Sequence, residues 1–389
     1  MPEADSIIDL TRQLVRLSSR AGIDPYEPII ALARTWLRAH KVPSTLLRHG
    51  KQTVGLVATV TGAAPGPVYM LNATLDTAGF GDESRWTDPP TSGRVRNGWM
   101  YGRGTADSKA GAAIFCHLLA RCAADRKTLH GKLVLLLDLD EHTGGFAGVR
   151  TYFDERLRLP RPQGVFIGYP GNERIVVGSR GFTRATLAVY GHSAHSGGAS
   201  NRGVNAVTRA AVLALRLAEL PLPQSRPSRD FSLPPQLTVT AIEGGAGFST
   251  VPDLCRVLVD VRLTPGFTAT AARRAIVALV RSFDSNSGCP ATKIDWHSGW
   301  PAYRVADSHA MVRTLRGAAE REFNRTVAPA VVGPSNIGNH LKTLRIPAIA
   351  GFGVTYRGIH ALDECIELAS IEPVYRAYHS ALSELLDGR

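Results

Sequence analysis

Nowhere does the 389-residue chain approach the roughly 18 consecutive apolar residues that a membrane-spanning helix needs. Paired cysteines are missing too. Cys116, Cys122, Cys255, Cys289 and Cys365 are odd in number and scattered, with no C-x-x-C among them. They read as reduced, mostly buried thiols of a cytoplasmic protein, not as a disulfide framework. Nucleotide signatures fail as well: there is no G-x-x-x-x-G-K-[ST], and Gly102-x-Gly104 lacks the third glycine of a dinucleotide fingerprint. The absence of a G-x-S-x-G elbow argues against a serine hydrolase. Lysine is scarce, 7 residues against 38 arginines, and the basic residues form no block.

What is present is ordinary globular composition, 44% hydrophobic and 20% charged. The length fits two domains, or one large domain with an insertion. Met1-Pro2-Glu3-Ala4-Asp5 is acidic and runs directly into an amphipathic pattern, which reads as the start of a helix and not as a signal peptide. The net charge of +12 is spread along the chain without interleaved aromatics. It reads first as an arginine-rich solvated surface. Its functional reading is a field that draws acidic substrates or an acidic protein partner; neither nucleic acid nor membrane is expected.

Short apolar runs alternate with helical patterns, which predicts an α/β fold with a mostly parallel sheet flanked by helices. Ile7, Leu10, Leu14 and Leu17 form the stripe of an opening helix. Strands are expected at Val54–Val60, Val68–Leu71, Leu133–Leu137, Val165–Ile167 and Ala348–Phe352. Helices are expected at Ala110–Ala124, Ala147–Phe153, Met311–Glu322 and Pro373–Leu386. The middle third differs. Strands at Ala185–Tyr190, Gln236–Ile242 and Arg256–Arg262, with helices at Asn205–Leu217 and Ala271–Ser282, give a β-α-β-β-α order. Alternating strands in that order indicate a small inserted α+β domain over 181–299, dividing a larger domain into 1–180 and 300–389. The Pro221–Pro235 stretch reads as a loop inside the insert.

Polar clusters follow the predicted strands: Thr74-Leu75-Asp76, Gly102 through Lys109, Asp140 through Gly145, Gly168 through Gly171, and His360 through Glu364. Loops at the carboxyl ends of strands converge on one crevice in such sheets. Acidic and imidazole groups gathered there are what a divalent metal needs. Glu141 beside His142, after an apolar strand, would be costly without a partner.

The order and spacing of these residues resemble the co-catalytic zinc exopeptidases and deacylases, the family of acetylornithine deacetylase, succinyl-diaminopimelate desuccinylase and glutamate carboxypeptidase. The matching landmarks include Leu75-Asp76-Thr77, Tyr101-Gly102-Arg103-Gly104, Asp107 with Lys109, Asp140-Glu141, Gly144-Gly145, His192 through Ser196, Gly203 through Ala206, Asp260-Val261-Arg262, and His360 with Asp363-Glu364. The resemblance covers nearly the whole chain. It implies a zinc-exopeptidase-like catalytic domain, with the insert as a lid and dimerisation domain.

Family members usually hold two zinc ions bridged by an Asp. The resemblance assigns Asp107 as the bridge, His360 as the C-terminal ligand and Glu141 as the general base. The other ligand positions are altered: Thr74 stands for the first His, Tyr169 for a carboxylate, and His142 for the second Glu of the pair. Thr74 and Tyr169 belong to the same metal position, which has therefore lost both private ligands. Asp107, His142 and His360 form a competent three-ligand set with an open fourth place. Two Zn²⁺ against three carboxylates leave +1, and one Zn²⁺ against Asp107 also leaves +1, whereas two ions on the present set would leave +3. One zinc per chain is expected; the other reading is a metal-free site in which His142 is a satisfied polar residue.

In the lid, the resemblance marks His195 as an oxyanion-supporting histidine and Asn205, Ser249 and Arg262 as substrate-binding. Arg262 has a second reading, an ion pair with Asp260. Asp76 takes the place of the family's orienting Asp, although the His before it is missing. The expected protein is a homodimeric metal-dependent hydrolase of an amide bond in a small N-acyl amino acid or peptide-like metabolite. The alternatives are a repurposed member performing acyl transfer or cyclisation in specialised metabolism, with or without metal, and an inactive binding protein.

Overall fold

A computed structural model describes residues 3–154, 157–198, 202–223 and 231–387. Residues 224–230 of the Pro221–Pro235 loop lie outside them. The main strands, in chain order, are β1 (Ser44–His49), β2 (Gln52–Thr61), β3 (Ala64–Thr74), β4 (His130–Asp138), β5 (Gly164–Ile167), β6 (Gly181–Tyr190), β7 (Gln236–Gly244), β8 (Leu254–Leu263), β9 (Lys293–Trp296) and β10 (Ala348–Ala350). The main helices are α1 (Glu3–Val15), α2 (Glu27–Ala39), α3 (Ala110–Ala124), α4 (Ala147–Tyr152), α5 (Ala206–Ala218), α6 (Ala269–Asp284), α7 (Ala310–Phe323) and α8 (Ile371–Leu386), leaving a short helix at 337–343 unlabelled.

The chain forms two compact units, one of residues 1–178, 305–330 and 336–389, the other of 179–304 and 331–335. In the first, a six-stranded sheet has the order β1-β2-β4-β3-β5-β10. β4, β3, β5 and β10 are mutually parallel, and β1 and β2 form an antiparallel hairpin at one edge. The central strands are apolar without alternation because both their faces are covered: Leu133 through Leu137 are at most 1% exposed. α3 is buried on almost its whole surface. It can approach the strand ends because Gly111 stands where a Cβ would meet the Gly168 carbonyl at 2.1 Å. Phe115 and Phe166 pack edge-on against Tyr378 of α8, a geometry that aromatic quadrupoles favour. α2 and β1 were not anticipated; Pro28 in the first turn of α2 is compatible with helix initiation because no partner is needed there for its missing N–H.

Register fixes where the loops emerge. Thr74, the last residue of β3, pairs with Asp138, the last of β4, and Asn72 pairs with Ile167 at the end of β5. The three parallel strands therefore deliver residues 74–76, 139–142 and 168–170 to one end of the sheet.

The second unit has an antiparallel sheet of order β7-β8-β6-β9 and a core shared with α5 and α6. Along β8, Cys255, Val257, Val259, Val261 and Leu263 are buried while Arg256 is exposed and Leu258, Asp260 and Arg262 are partly exposed, the period of two read in the sequence. Asn205 and Thr268 cap α5 and α6 by accepting backbone N–H groups of the first turns. β9 was not anticipated: its four residues are too few for an alternating pattern to register.

Candidate metal centre and active site

Three of the sequence-selected side chains meet at the end of the central sheet. Asp107 follows Gly104, whose φ of +83° opens the turn leading into α3. His142 comes from the loop after β4, and His360 from a C-terminal loop where it adopts a left-handed φ of +59°. Non-glycine residues rarely take that conformation, and those that do cluster at functional sites. His360 Nε2 lies 2.9 Å from Asp107 Oδ2, and His142 Nε2 lies 3.5 Å from the same oxygen. One ligand-type atom from each of the three lies within 4.8 Å of the others.

Asp76 organises this cluster. Its carboxylate accepts the backbone N–H groups of Glu141 and His142 at 3.2 and 3.1 Å, and its Oδ2 lies 3.1 Å from His142 Nδ1. The missing partner of Asp76 is therefore replaced by His142. With Nδ1 engaged by a carboxylate, the other ring nitrogen faces Asp107, the arrangement that orients histidines toward metals.

Two buried atoms at the junction, His142 Nε2 and Asp107 Oδ1, have no hydrogen-bond partner. Orphaned polar atoms of this kind are rare and call for a cause. Two imidazoles and a carboxylate suit zinc, and the donor atoms are near enough to surround one ion. Burial works against charge on His142. The nearby Asp107 carboxylate and the bond to Asp76 outweigh it and raise the imidazole to about 11. Burial likewise works to raise Asp107, but the nearby His142 and the bond with His360 hold it at about 2.

Thr74 and Tyr169 are engaged differently. Thr74 Oγ1 donates to Asp76, and Tyr169 OH donates to Glu141 Oε1 at 2.5 Å. Burial and the neighbouring Asp107 raise the Glu141 carboxyl to about 7. Beneath them lies Asp138, fully buried, with neither carboxylate oxygen hydrogen-bonded. Burial first, then the charges of Asp76 and Glu141, push its carboxyl well above the usual range.

A further layer was visible in the sequence only as motif landmarks, without a role. Arg103 and Glu364 form a buried ion pair at 2.6 Å. Glu364 also accepts from the Ala106 and Asp107 N–H groups, while Arg103 donates to the His360 carbonyl. This network ties the Asp107 loop to the His360 loop. Its signal in the sequence was charge inside glycine-flanked or acidic loop motifs, which does not specify a pairing.

The remaining sequence-selected residues lie in the second unit. His195 is exposed, and its Nδ1 accepts the Gly197 N–H at 3.1 Å. Ser249 is exposed, and its carbonyl accepts from Ser196. The Asn205 side-chain oxygen is engaged by Val207 and Thr208 as the α5 cap. Arg262 pairs with Asp260 at 2.7 Å, as does Arg184 at 3.0 Å, and all three line a cavity of about 630 Å³. Arg180, on the same cavity, has its guanidinium pKa lowered by burial and by the Arg262 charge.

The profile of peptidase family M20/M25/M40 matches residues 70–384, so the chain belongs to that family. It is a hydrolase of the metallopeptidase and amidohydrolase type, from a metal-dependent family that typically uses zinc. Among curated relatives, it is similar to a succinyl-diaminopimelate desuccinylase of Marinobacter nauticus, 25% identical with 82% of this chain and 84% of the relative covered. It is also similar to an acetylornithine deacetylase of Photorhabdus laumondii, 28% identical over 98% of this chain and 96% of that one. Solved structures share the fold. A tripeptidase of Staphylococcus aureus superposes with a TM-score of 0.80 at 18% identity, and an M20 metallo-carboxypeptidase of Sulfolobus solfataricus with 0.80 at 16%. Each comparison covers 98% of both chains.

Proposed function

We propose that the chain is a single-zinc hydrolase that cleaves the amide bond of a small N-acyl amino acid or peptide-like metabolite. The observation that carries the reading is the contrast between orphaned atoms and engaged ones. His142 Nε2 and Asp107 Oδ1 lack partners beside His360, whereas the hydroxyls of Thr74 and Tyr169 are already donating. Asp107, His142 and His360 would hold the ion, which when bound supplies Lewis-acid activation of water and of the scissile carbonyl. Glu141 takes the proton of the attacking water and returns it to the departing amine; its carboxylate stands beside the ligand cluster, 3.6 Å from His142 Nδ1, and accepts the Tyr169 hydroxyl. Asp76 holds His142 in one orientation. His195 supports the oxyanion, Asn205 and Ser249 contact substrate, and Arg262 holds a substrate carboxylate, as the resemblance implies; the partly exposed guanidinium on its cavity wall supports the last assignment. Metal analysis of protein purified without added metal tests the reading. About one zinc per chain is expected; two would overturn the ligand argument, and none would favour a repurposed, metal-free reaction.

We also propose a homodimer formed through the second unit. β7 is an edge strand, Ile242 on it is 45% exposed, and neighbouring α5 exposes Val212 and Leu215 at 41% and 64%. An unpaired edge beside exposed apolar side chains is a pairing template. Light scattering at micromolar concentration should give twice the chain mass of 41.8 kDa; a monomer would refute the dimer. No helix among the described residues is long and apolar enough to cross a membrane. The five free cysteines support a cytoplasmic location.

A further inference from the structure

In the first unit, four cations converge on a cleft between α2 and the β1–β2 hairpin. Arg34 and Arg38 stand one turn apart on α2, Arg48 lies near the end of β1, and Lys51 sits in the turn before β2. The cleft has a volume of about 490 Å³, and Ile30 and Leu46 give it an apolar floor. All four cations are exposed, and none makes an ion pair, side-chain hydrogen bond or ring contact with any described residue. Other arginines are engaged: Arg20 with Asp24, Arg209 with Asp284, Arg316 with Glu320. Glu27 is the only acid on the cleft.

The cleft's position follows from strand register. β2 runs antiparallel to β4 with Gly55 opposite Asp138, so the hairpin turn projects from the same end of the sheet as the Glu141–His142 loop. Lys51 lies four residues before Gly55, roughly 13 Å further along at about 3.3 Å per residue. β1 is the edge of the sheet, and its outer side has no strand partner among the described residues.

We propose that this cleft docks an acidic, extended segment of a partner protein. The cations form two rows, one on α2, where Arg34 and Arg38 are about 6 Å apart along the axis, and one on the hairpin, a spread of charge that suits several carboxylates along an extended chain. No aromatic side chain lines the cleft, so it lacks the stacking platform of single-strand nucleic-acid sites. The outer edge of β1, without a strand partner among the described residues, offers backbone donors and acceptors to an extended chain, and the partly exposed Leu46 gives its aliphatic side chains an apolar contact. Complementary charge across such a contact steers encounter and fixes register. The inference rests on the first unit's surface, so its failure leaves the proposed chemistry untouched.

The test uses the full chain and a fluorescent peptide of about ten residues alternating glutamate and valine, followed by anisotropy at low and high salt. Binding should weaken at least about tenfold when Arg34→Glu, Arg38→Glu, Arg48→Glu and Lys51→Glu are combined. A matched-charge control, with Arg126→Glu, Lys127→Glu, Arg274→Glu and Arg281→Glu, should stay within about twofold of the parent. Should the fourfold glutamate variant melt early by circular dichroism, the same four positions changed to Gln serve instead, with the same expected loss. Equal losses in the cleft and control variants would overturn the proposal. So would displacement of the peptide by inorganic phosphate at equal charge, or tighter cleft-dependent binding of an oligonucleotide.

Discussion

The two halves of the candidate site engage their polar atoms in opposite ways. Around Asp107, ligand-type atoms converge and two of them are left without partners. Around Thr74 and Tyr169, each hydroxyl donates to a neighbouring carboxylate, Asp76 or Glu141. A carboxylate buried without a cation needs hydrogen bonds to stay charged, and a hydroxyl supplies one without adding charge. The hydroxyls of Thr74 and Tyr169 therefore let Asp76 and Glu141 stay charged with no cation beside them. On the proposed single-zinc reading, a neutral imidazole at His142 keeps the charge balance that a second carboxylate would upset.

The largest effects should come from the half that converges. Glu141→Gln should lower kcat by 10²- to 10⁴-fold, the usual worth of a general base, with fold and zinc content unchanged by circular dichroism and metal analysis. Retention of more than about a tenth of the activity would place the base elsewhere. His142→Ala and His360→Ala should each strip the zinc, because two protein ligands hold it poorly. Undiminished zinc in both variants would mean that the ligands are wrongly assigned.

Most elements of the fold were legible because buried parallel strands and amphipathic helices write long patterns. α3 was anticipated at Ala110–Ala124, the bounds observed. β9 and the β1 edge were missed, one being four residues long and the other pairing with a strand on only one side. The candidate site was legible as residue types in order, since Asp107, His142 and His360 lie in loops that follow recognisable elements. Pairing was not legible. Nothing in the sequence says that Asp76, deprived of its preceding histidine, turns to His142, or that Arg103 reaches Glu364 across 261 positions. Such contacts are set by strand register and by how the loops close, which composition and period do not encode.

The half without convergent ligands can be rebuilt to sharpen the comparison. Thr74→His or Tyr169→Glu alone should leave zinc at about one per chain, because each restores only one private ligand. Combined, they should raise it toward two. Zinc stoichiometry across the parent, both single variants and the double variant measures this. A second ion in either single variant would show that the position was never vacated.

The smallest effect should be the most specific. Tyr169→Phe removes the hydroxyl that donates to Glu141 while keeping the ring. That bond stabilises the charged carboxylate and opposes the burial and Asp107 charge that raise it to about 7. Without the bond the Glu141 carboxyl moves up, so less of the base is ionised at neutral pH. A charge-assisted hydrogen bond contributes about 1.5–3 kcal/mol, of which roughly half survives rearrangement and water entry, or about one pH unit. The acid limb of kcat/KM against pH should therefore shift upward by about that amount. Well above the limb, activity should stay within about threefold of the parent, because the ionised base is then fully populated. Zinc content should not change, since Tyr169 is not in the ligand set. An unmoved limb, with activity lowered equally at every pH, would show that the phenol acts on packing and not on the base.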